Sequence, residues 1–208
     1  MKKITKKVED FQKQGKNIGR ERVRLTQPRV YPLEESEWNE EVREILKPMM
    51  DEETGQIINI HKTMARYPDL LRRWLVFARH ILFKSSLPAR EREILILRIG
   101  WLCQAEYEFG QHVIIGKESG LTDDEIQMIK EGPDSKGWSS FDATLLKAVD
   151  ELYYDAFISD PTWKALSEKY NTQQMIDLVF TVGQYNLVSM ALNTLGVQLE
   201  EYTKGYLK

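Results

Sequence analysis

Two ionisable residues, Glu108 and His112, stand one helical turn apart in the segment AEYEFGQHVIIGKES. On a helical wheel they fall at the edge of an apolar stripe. This stripe comprises Ala105, Phe109, Val113 and Gly116. Ionisable groups beside a buried face are unfavourable unless they hydrogen-bond each other, bind a ligand or line a cavity. A carboxylate next to an imidazole also raises the imidazole pKa and suits the pair for proton transfer, so the spacing predicts acid–base chemistry, with a satisfied structural pair as the alternative.

The elements that position this pair are predicted to be helices. Helix-start patterns occur at Ser36, Thr122, Ser139, Asp160–Pro161 and Asn171. Such side chains satisfy the free amides of a first turn, and apolar residues between them recur at spacings of three and four. We therefore predict an all-α helical bundle of about seven or eight helices.

A break is expected inside the long stretch from Pro88 to Gly120, which contains no internal proline. A single helix of this length would exceed the usual globular range. We place the break between Gly100 and Ala105, which gives two helices that can pack antiparallel around a tight corner.

Length and composition limit the class of protein. The chain has 208 residues, 42% of them hydrophobic, which is enough for one sizeable core. The formal net charge of −3 argues against nucleic acid as the main partner. One cysteine, Cys103, can form neither an internal disulfide nor a thiolate metal cage, and the start MKKITKKVED lacks the apolar core of a secretory signal. We therefore expect a cytoplasmic protein.

The two ends of the chain differ in character. Residues 1–24 hold nine basic and three acidic residues, so we assign 1–30 as a basic N-terminal arm, solvated or folded onto a neighbour, and 31–208 as the helical domain. The segment from Leu178 to Leu199 carries no formal charge and is long enough to span a bilayer. Its amide and hydroxyl side chains would lie unsatisfied in hydrocarbon, so we expect a buried helix, with a subunit contact as one possible cover, and no membrane.

The order of Glu93, EYEFGQH over residues 106–112 and the closing VGQYNLVSMALNTLGV resembles the carboxymuconolactone decarboxylase family, which includes the alkyl hydroperoxidase D-like proteins. The resemblance covers roughly residues 59–132 and 174–199. It implies an alkyl hydroperoxidase D-like single domain that assembles as a homo-oligomer, a trimer or hexamer, and acts on a small-molecule substrate without cofactor or metal.

Redox members of that family resemble one another in a Cys-x-x-Cys-x-x-x-His signature with an upstream glutamate. By this resemblance the glutamate falls on Glu93, the first cysteine on Ala105, the second on Glu108 and the histidine on His112. Both cysteines are missing, and decarboxylase-like members carry a glutamate at the position of Glu108. One cysteine without a resolving partner cannot complete a dithiol peroxidase cycle within the chain, so this chemistry is disfavoured. Cys103 lies two residues before the matched position, and a small buried side chain is its simpler interpretation.

Roles follow for the remaining residues. His112 is the expected proton carrier, with Glu108 or Glu93 orienting it and the other carboxylate available as a second acid. Tyr107, which follows as the residue before the matched second cysteine, flanks the site or packs in the core. Arg98 could clamp a substrate carboxylate or pair with Glu93 or Glu91.

Two further histidines are candidates for the site. His80 shares a three-residue spacing with Trp74 and Phe77 and could reach a pocket beside the Glu108 helix, whereas His61 has a weaker claim. A metal site built from Glu93, Glu108, His112 and His80 is disfavoured because the repeated Glu-x-x-His pattern is missing.

The sequence therefore predicts a cofactor-independent lyase or isomerase for a small carboxylated lactone or a related enolisable acid. A non-catalytic ligand-binding or assembly protein on the same fold is the alternative. A peroxidase is the weakest interpretation.

Overall fold

The computed structural model describes residues 25–203, which contain nine α-helices and no strand. In chain order these are α1 (Glu40–Leu46), α2 (Asn59–Met64), α3 (Pro68–Phe83), α4 (Ala89–Leu102), α5 (Glu106–Glu118), α6 (Asp123–Glu131), α7 (Ser140–Asp155), α8 (Asp160–Ser167) and α9 (Thr172–Leu195). Two 3₁₀ turns flank α1, at Glu35–Glu37 and Lys47–Met49. The all-α prediction is confirmed, and the number of helices exceeds the predicted seven or eight.

The predicted break in the long central stretch is confirmed. Helix α4 ends at Leu102 and α5 begins at Glu106, with Gln104 in a left-handed conformation at φ 50°. The two helices pack closely here, since a Cβ atom at Gly100 would be in ordinary van der Waals contact with the Cγ of Glu108, at 3.6 Å. The corner therefore brings the start of α5 against the end of α4.

Most predicted helix starts are in place. Thr122 and Asn171 each form a full capping box, with Glu125 and Gln174 respectively, and Ser139 caps α7. Two predictions were wrong by a few residues. Asn39, whose side chain accepts from the amide of Val42, caps α1 in place of Ser36, which lies in the preceding 3₁₀ turn. Helix α8 begins at Asp160 itself, so its proline is at the second position.

Helix α4 forms the centre of the bundle and packs against α5, α7 and α9. Nine of its residues are buried, among them the charged residues Glu91, Glu93 and Arg98. A charged group in such a helix requires a partner from a neighbouring helix, because an isolated buried charge is strongly unfavourable. A smaller apolar cluster joins α1 and α3 around Leu46 and Leu71.

Helix α9 covers one side of α4 and exposes a stripe of its own. Among the described residues it is the one helix long and apolar enough to cross a membrane by length and composition, and half of its most apolar window is buried. The outer stripe consists of Ile176, Phe180, Leu187 and Met190. These residues recur at helical spacing and are each about half exposed, so α9 is both a core helix and the carrier of an uncovered apolar surface.

The predicted N-terminal arm lies largely outside the described residues. Its described end, residues 25–30, contacts the C-terminal end of α9, where the amides of Arg29 and Val30 donate to the carbonyl of Leu195.

Candidate active site

Helices α4 and α5 place one histidine between two glutamates. Nδ1 of His112 lies 2.6 Å from Oε2 of Glu93, and Nε2 lies 3.1 Å from Oε1 of Glu108. The pairing along α5 follows from the four-residue spacing, whereas Glu93 reaches the ring from the neighbouring helix. All three side chains are buried, and Glu93 is fully inaccessible. The three predicted catalytic residues therefore form one Glu–His–Glu cluster.

The electrostatics of the cluster favour a charged imidazole. Burial by itself would lower the pKa of His112, but the charge of Glu93 and hydrogen bonds to Glu108 and Glu93 outweigh it and raise the pKa to about 10. The guanidinium of Arg92 contacts the other oxygen of Glu93 at 3.1 Å. Two positive and two negative groups thus balance in this cluster, and the ring can hold a proton at neutral pH.

A cavity of about 350 Å³ opens onto one side of the cluster. Glu108 and His112 line it, whereas Glu93 lies behind the ring. Its apolar wall is formed by Ile58, Ile60, Trp74, Leu75, Leu82, Phe83, Ile115 and Val188. Tyr185 packs edge-on against His112 with ring centroids 4.8 Å apart and also lines the cavity. The volume and the few polar groups suit a small, largely apolar ligand.

A second cavity of about 360 Å³ adjoins the first and is lined almost entirely by apolar residues. Ile60, Trp74 and Val188 line both cavities.

Tyr107 lines the main cavity, and its hydroxyl belongs to a hydrogen-bond network that reaches the C-terminal segment. Its hydroxyl donates to Oε1 of Glu200 at 2.7 Å, and the same oxygen accepts the amide of Asn59. The other oxygen of Glu200 accepts from Gln111, which also lines the cavity. Burial and the charge of Glu200 raise the pKa of Tyr107 well above its ordinary value, so this phenol stays neutral. Sequence reasoning missed Glu200, which lies 93 residues from Tyr107.

Arg98 lies away from the cavity, contrary to the substrate clamp that we considered. Its guanidinium forms a bidentate pair with Asp150 at 2.7 and 2.9 Å. A third nitrogen donates to the carbonyls of Ile129 and Lys130 at the end of α6. The predicted partners Glu93 and Glu91 are not used. Arg98 therefore joins α4 to α6 and α7, and does not line the cavity.

The two remaining histidines are placed in the reverse of the way that we expected, with His61 at the cavity and His80 outside it. His80 is half exposed, lies 3.8 Å from Asp177 and does not line the cavity. His61 lines the cavity beside Trp74, with ring centroids 6.5 Å apart. Burial, followed by the positive charge of Arg79, lowers the pKa of His61 to about 4, so the ring is neutral.

Gln184 is a further cavity residue that the prediction did not include. It is buried on α9 and lines the cavity beside Tyr185. The available signal was its polar side chain in an otherwise uncharged helix.

Cys103 is placed outside the cavity. It follows the last residue of α4, is buried, and its thiol lies 3.2 Å from the side-chain oxygen of Asn186. Within residues 25–203 no cluster of three or more histidine, cysteine, aspartate or glutamate side chains is arranged to hold a metal ion.

Comparison with solved structures defines the class of fold. A cysteine-to-alanine variant of the debrominase Bmp8, in complex with 2,3,4-tribromopyrrole, superposes with a TM-score of 0.71 at 15% identity, over 88% of this chain and 97% of that chain. An uncharacterized peroxidase-related protein from Ralstonia eutropha JMP134, described as an alkylhydroperoxidase AhpD core, gives 0.72 at 17% identity, over 84% and 93%. A peroxidase-related protein from Silicibacter sp. TM1040 gives 0.71 at 15% identity, over 91% and 97%. The chain therefore has the all-α alkyl hydroperoxidase D-like fold.

The sequence region that holds the cluster matches a family model. Residues 68–150, which include Glu93, Glu108 and His112, match the model of the carboxymuconolactone decarboxylase family. The resemblance to this family that the motif predicted is thereby confirmed. A search of curated proteins finds no significant match.

Proposed function

We propose that the protein is a cofactor-independent acid–base enzyme that decarboxylates or isomerises a small carboxylated lactone or a related enolisable acid. The observation that carries the proposal is the His112 ring, charged between two carboxylates at the wall of a cavity of ligand size. A buried imidazolium is an acid that can deliver a proton to carbon in a site largely closed to water.

In a decarboxylation, the bond between the substrate carbon and its carboxylate breaks and CO2 leaves. The electron pair moves into a conjugated carbonyl and forms an enolate. The Glu108–His112 pair then donates a proton to carbon and recovers it from solvent, so the net reaction consumes one proton. In an isomerisation the pair would return a proton that it first removed.

The positive ring and the buried amide of Gln184 are the groups available to stabilise the enolate oxygen, since both line the cavity. Glu93, behind the ring, orients it and holds its charge.

The cavity lining among the described residues contains no cysteine, and this favours acid–base over thiol chemistry. The peroxidase-related and debrominase neighbours share the fold at 17% identity or less, so their names do not carry over to this site.

A second candidate, a non-catalytic binding protein, is favoured by one observation. Both nitrogens of His112 are already satisfied, as in a structural ion pair. Such a protein would bind a lactone acid saturably without converting it.

The test is a panel of small lactone carboxylates in D2O, with CO2 release and deuterium incorporation at carbon followed by NMR. We expect His112→Gln to lose at least about a hundredfold in rate and Cys103→Ala to retain the rate. Turnover that survives His112→Gln would contradict the proposal, and binding without any conversion would favour the binding protein.

The exposed stripe on α9 supports a proposal on assembly. We propose that a second copy of the chain covers Ile176, Phe180, Leu187 and Met190 in a homo-oligomer, as the family resemblance implies a trimer or hexamer.

A further inference from the structure

A positive charge stands unpaired at the edge of the main cavity. Arg79 on α3 is exposed and lines both this cavity and a neighbouring cleft of about 370 Å³. In the described part of the chain, Arg79 forms neither a salt bridge nor a hydrogen bond. Arg72, two turns earlier on the same helix, is paired with Glu41 at 2.7 Å. Arg79 is therefore a cation available to a ligand that enters the cavity.

Two polar ring atoms in the cavity wall also lack partners. Nδ1 of His61 and Nε1 of Trp74 are buried without a hydrogen bond. A buried polar atom left unpaired is unfavourable. Both side chains line the same cavity as Arg79, but these two atoms are closed to solvent, so a polar group of a ligand would pair with them after a rotation of the rings.

The charge of the whole cavity favours an anion. Among the residues that line the cavity, the charges of Glu108 and His112 cancel and His61 is neutral. The carboxylate of Glu200 is not a lining group and is hydrogen-bonded to Tyr107 and Gln111. Arg79 therefore leaves the cavity with one excess positive charge, while the rest of the wall is mainly apolar. This combination is complementary to an apolar molecule that carries one negative group.

We propose that Arg79 and His61 form an anion subsite, which binds a carboxylate of the substrate and directs the rest of the molecule toward Glu108 and His112. The inference rests on the proposed acid–base function and names the substrate class for that site. It also assigns to Arg79 the clamp that the sequence had suggested for Arg98.

The anchored carboxylate is one that the reaction leaves in place. An ion pair with arginine stabilises a carboxylate in the ground state, and loss of CO2 from it would give up that interaction in the transition state. A decarboxylated substrate must therefore carry two carboxylates, one at Arg79 and one at the reacting carbon. An isomerised substrate needs one.

The test uses a ligand that does not react. Paraconate, a saturated lactone acid whose carboxyl group is not placed to leave through an enolate, is compared with its neutral methyl ester by calorimetry and ligand-observed NMR. The proteins are the wild type, Arg79→Gln, His61→Leu and the control Arg73→Gln. Arg73 is exposed on the same helix and does not line the cavity.

We expect the wild type to bind the acid more tightly than the ester. Arg79→Gln should weaken acid binding by about tenfold or more, His61→Leu by about threefold or more, and neither should change ester binding. The proposal is overturned if the wild type binds the acid no more tightly than the ester, or if Arg79→Gln and Arg73→Gln have equal effects. If His61→Leu binds the acid as tightly as the wild type, His61 has no role in the subsite.

The result is separable from that of the proposed function. His112→Gln should still bind paraconate through Arg79. Acid binding that depends on Arg79, in a protein that converts no lactone acid, would keep the subsite and reject the enzyme.

Discussion

Glu93 and Glu108 bind opposite nitrogens of one imidazole ring, at 2.6 and 3.1 Å. A neutral imidazole has a single N–H, whereas an imidazolium donates at both nitrogens, so the geometry favours the charged form of His112. The two carboxylates differ in position, since Glu93 is fully buried and Glu108 lines the cavity. We therefore expect Glu93 to hold the ring and the Glu108–His112 pair to exchange a proton with the substrate.

The free energy of unfolding of the wild type should fall as the pH rises from about 6.5 to about 10. The pKa of His112 is raised from 6.5 to about 10 in the folded state, so in this window the folded chain holds a proton that the unfolded chain has lost. This stabilisation is fully present below pH 6.5 and is lost as the pH rises through the folded-state value. Urea unfolding at about pH 6, 8 and 10, at constant protein concentration, measures it. His112→Gln should show a flatter curve, and a wild type as flat as this variant would refute a charged ring.

Glu93→Gln should have the larger effect on stability, whereas Glu108→Gln should mainly lower activity. Glu93→Gln removes the fully buried partner of both His112 and Arg92, so we expect a loss of about 3 to 5 kcal/mol. An amide at position 108 can still accept from Nε2, so Glu108→Gln should lose about 1 to 2 kcal/mol and at least about a hundredfold in turnover. Denaturant unfolding and the deuterium assay give both quantities. The reverse order of stabilities would contradict the roles assigned here.

Glu200→Gln should alter binding more than chemistry. The carboxylate accepts from Asn59, Tyr107 and Gln111, and the last two of these line the cavity. It therefore holds Tyr107 and Gln111 in place and is not bonded to the His112 ring. We expect a loss of about 1 to 3 kcal/mol in stability and a higher KM at nearly constant kcat. Glu118→Gln, at the end of α5, is the matched control, and equal effects of the two variants would argue against a positioning role.

Leu187→Asp should convert the proposed oligomer to a monomer. The side chain is about half exposed in the middle of the α9 stripe, and a buried unpaired charge there would destabilise a contact between copies. Sedimentation of the variant beside Phe157→Asp, at an exposed apolar position before α8, measures the effect. An unchanged mass for Leu187→Asp would reject this face as the interface.

The sequence was sufficient where the relevant geometry is local. The four-residue spacing of Glu108 and His112 places both on one face of α5 whatever surrounds it. The break before α5 and the caps at Thr122 and Asn171 depend likewise on neighbouring residues alone. Glu93 required the family resemblance, because its distance of 19 residues fixes no direction in space.

The prediction for His80 was wrong because residues that repeat every three positions do not stay on one face of an α-helix. At about 100° per residue, His80 lies about 120° around α3 from Trp74, and the cavity face instead holds Trp74, Ala78 and Leu82. For Arg98 the limit was different. Helix α4 is buried on every side, so the sequence alone could not choose between Glu93 on the same helix and Asp150, 52 residues away.

Trp74 separates the two cavities together with Ile60 and Val188, since these three residues line both of them, and it is the largest of the three side chains. A smaller side chain at this position would join the chamber beside His112 to the apolar chamber under α9. Under the proposed function, the site with tryptophan would admit compact acids, and with alanine it would admit acids that carry a long hydrocarbon tail. Under the proposed function, the length of an acceptable substrate would thus depend on the wall that includes Trp74, separately from the residues that move the proton.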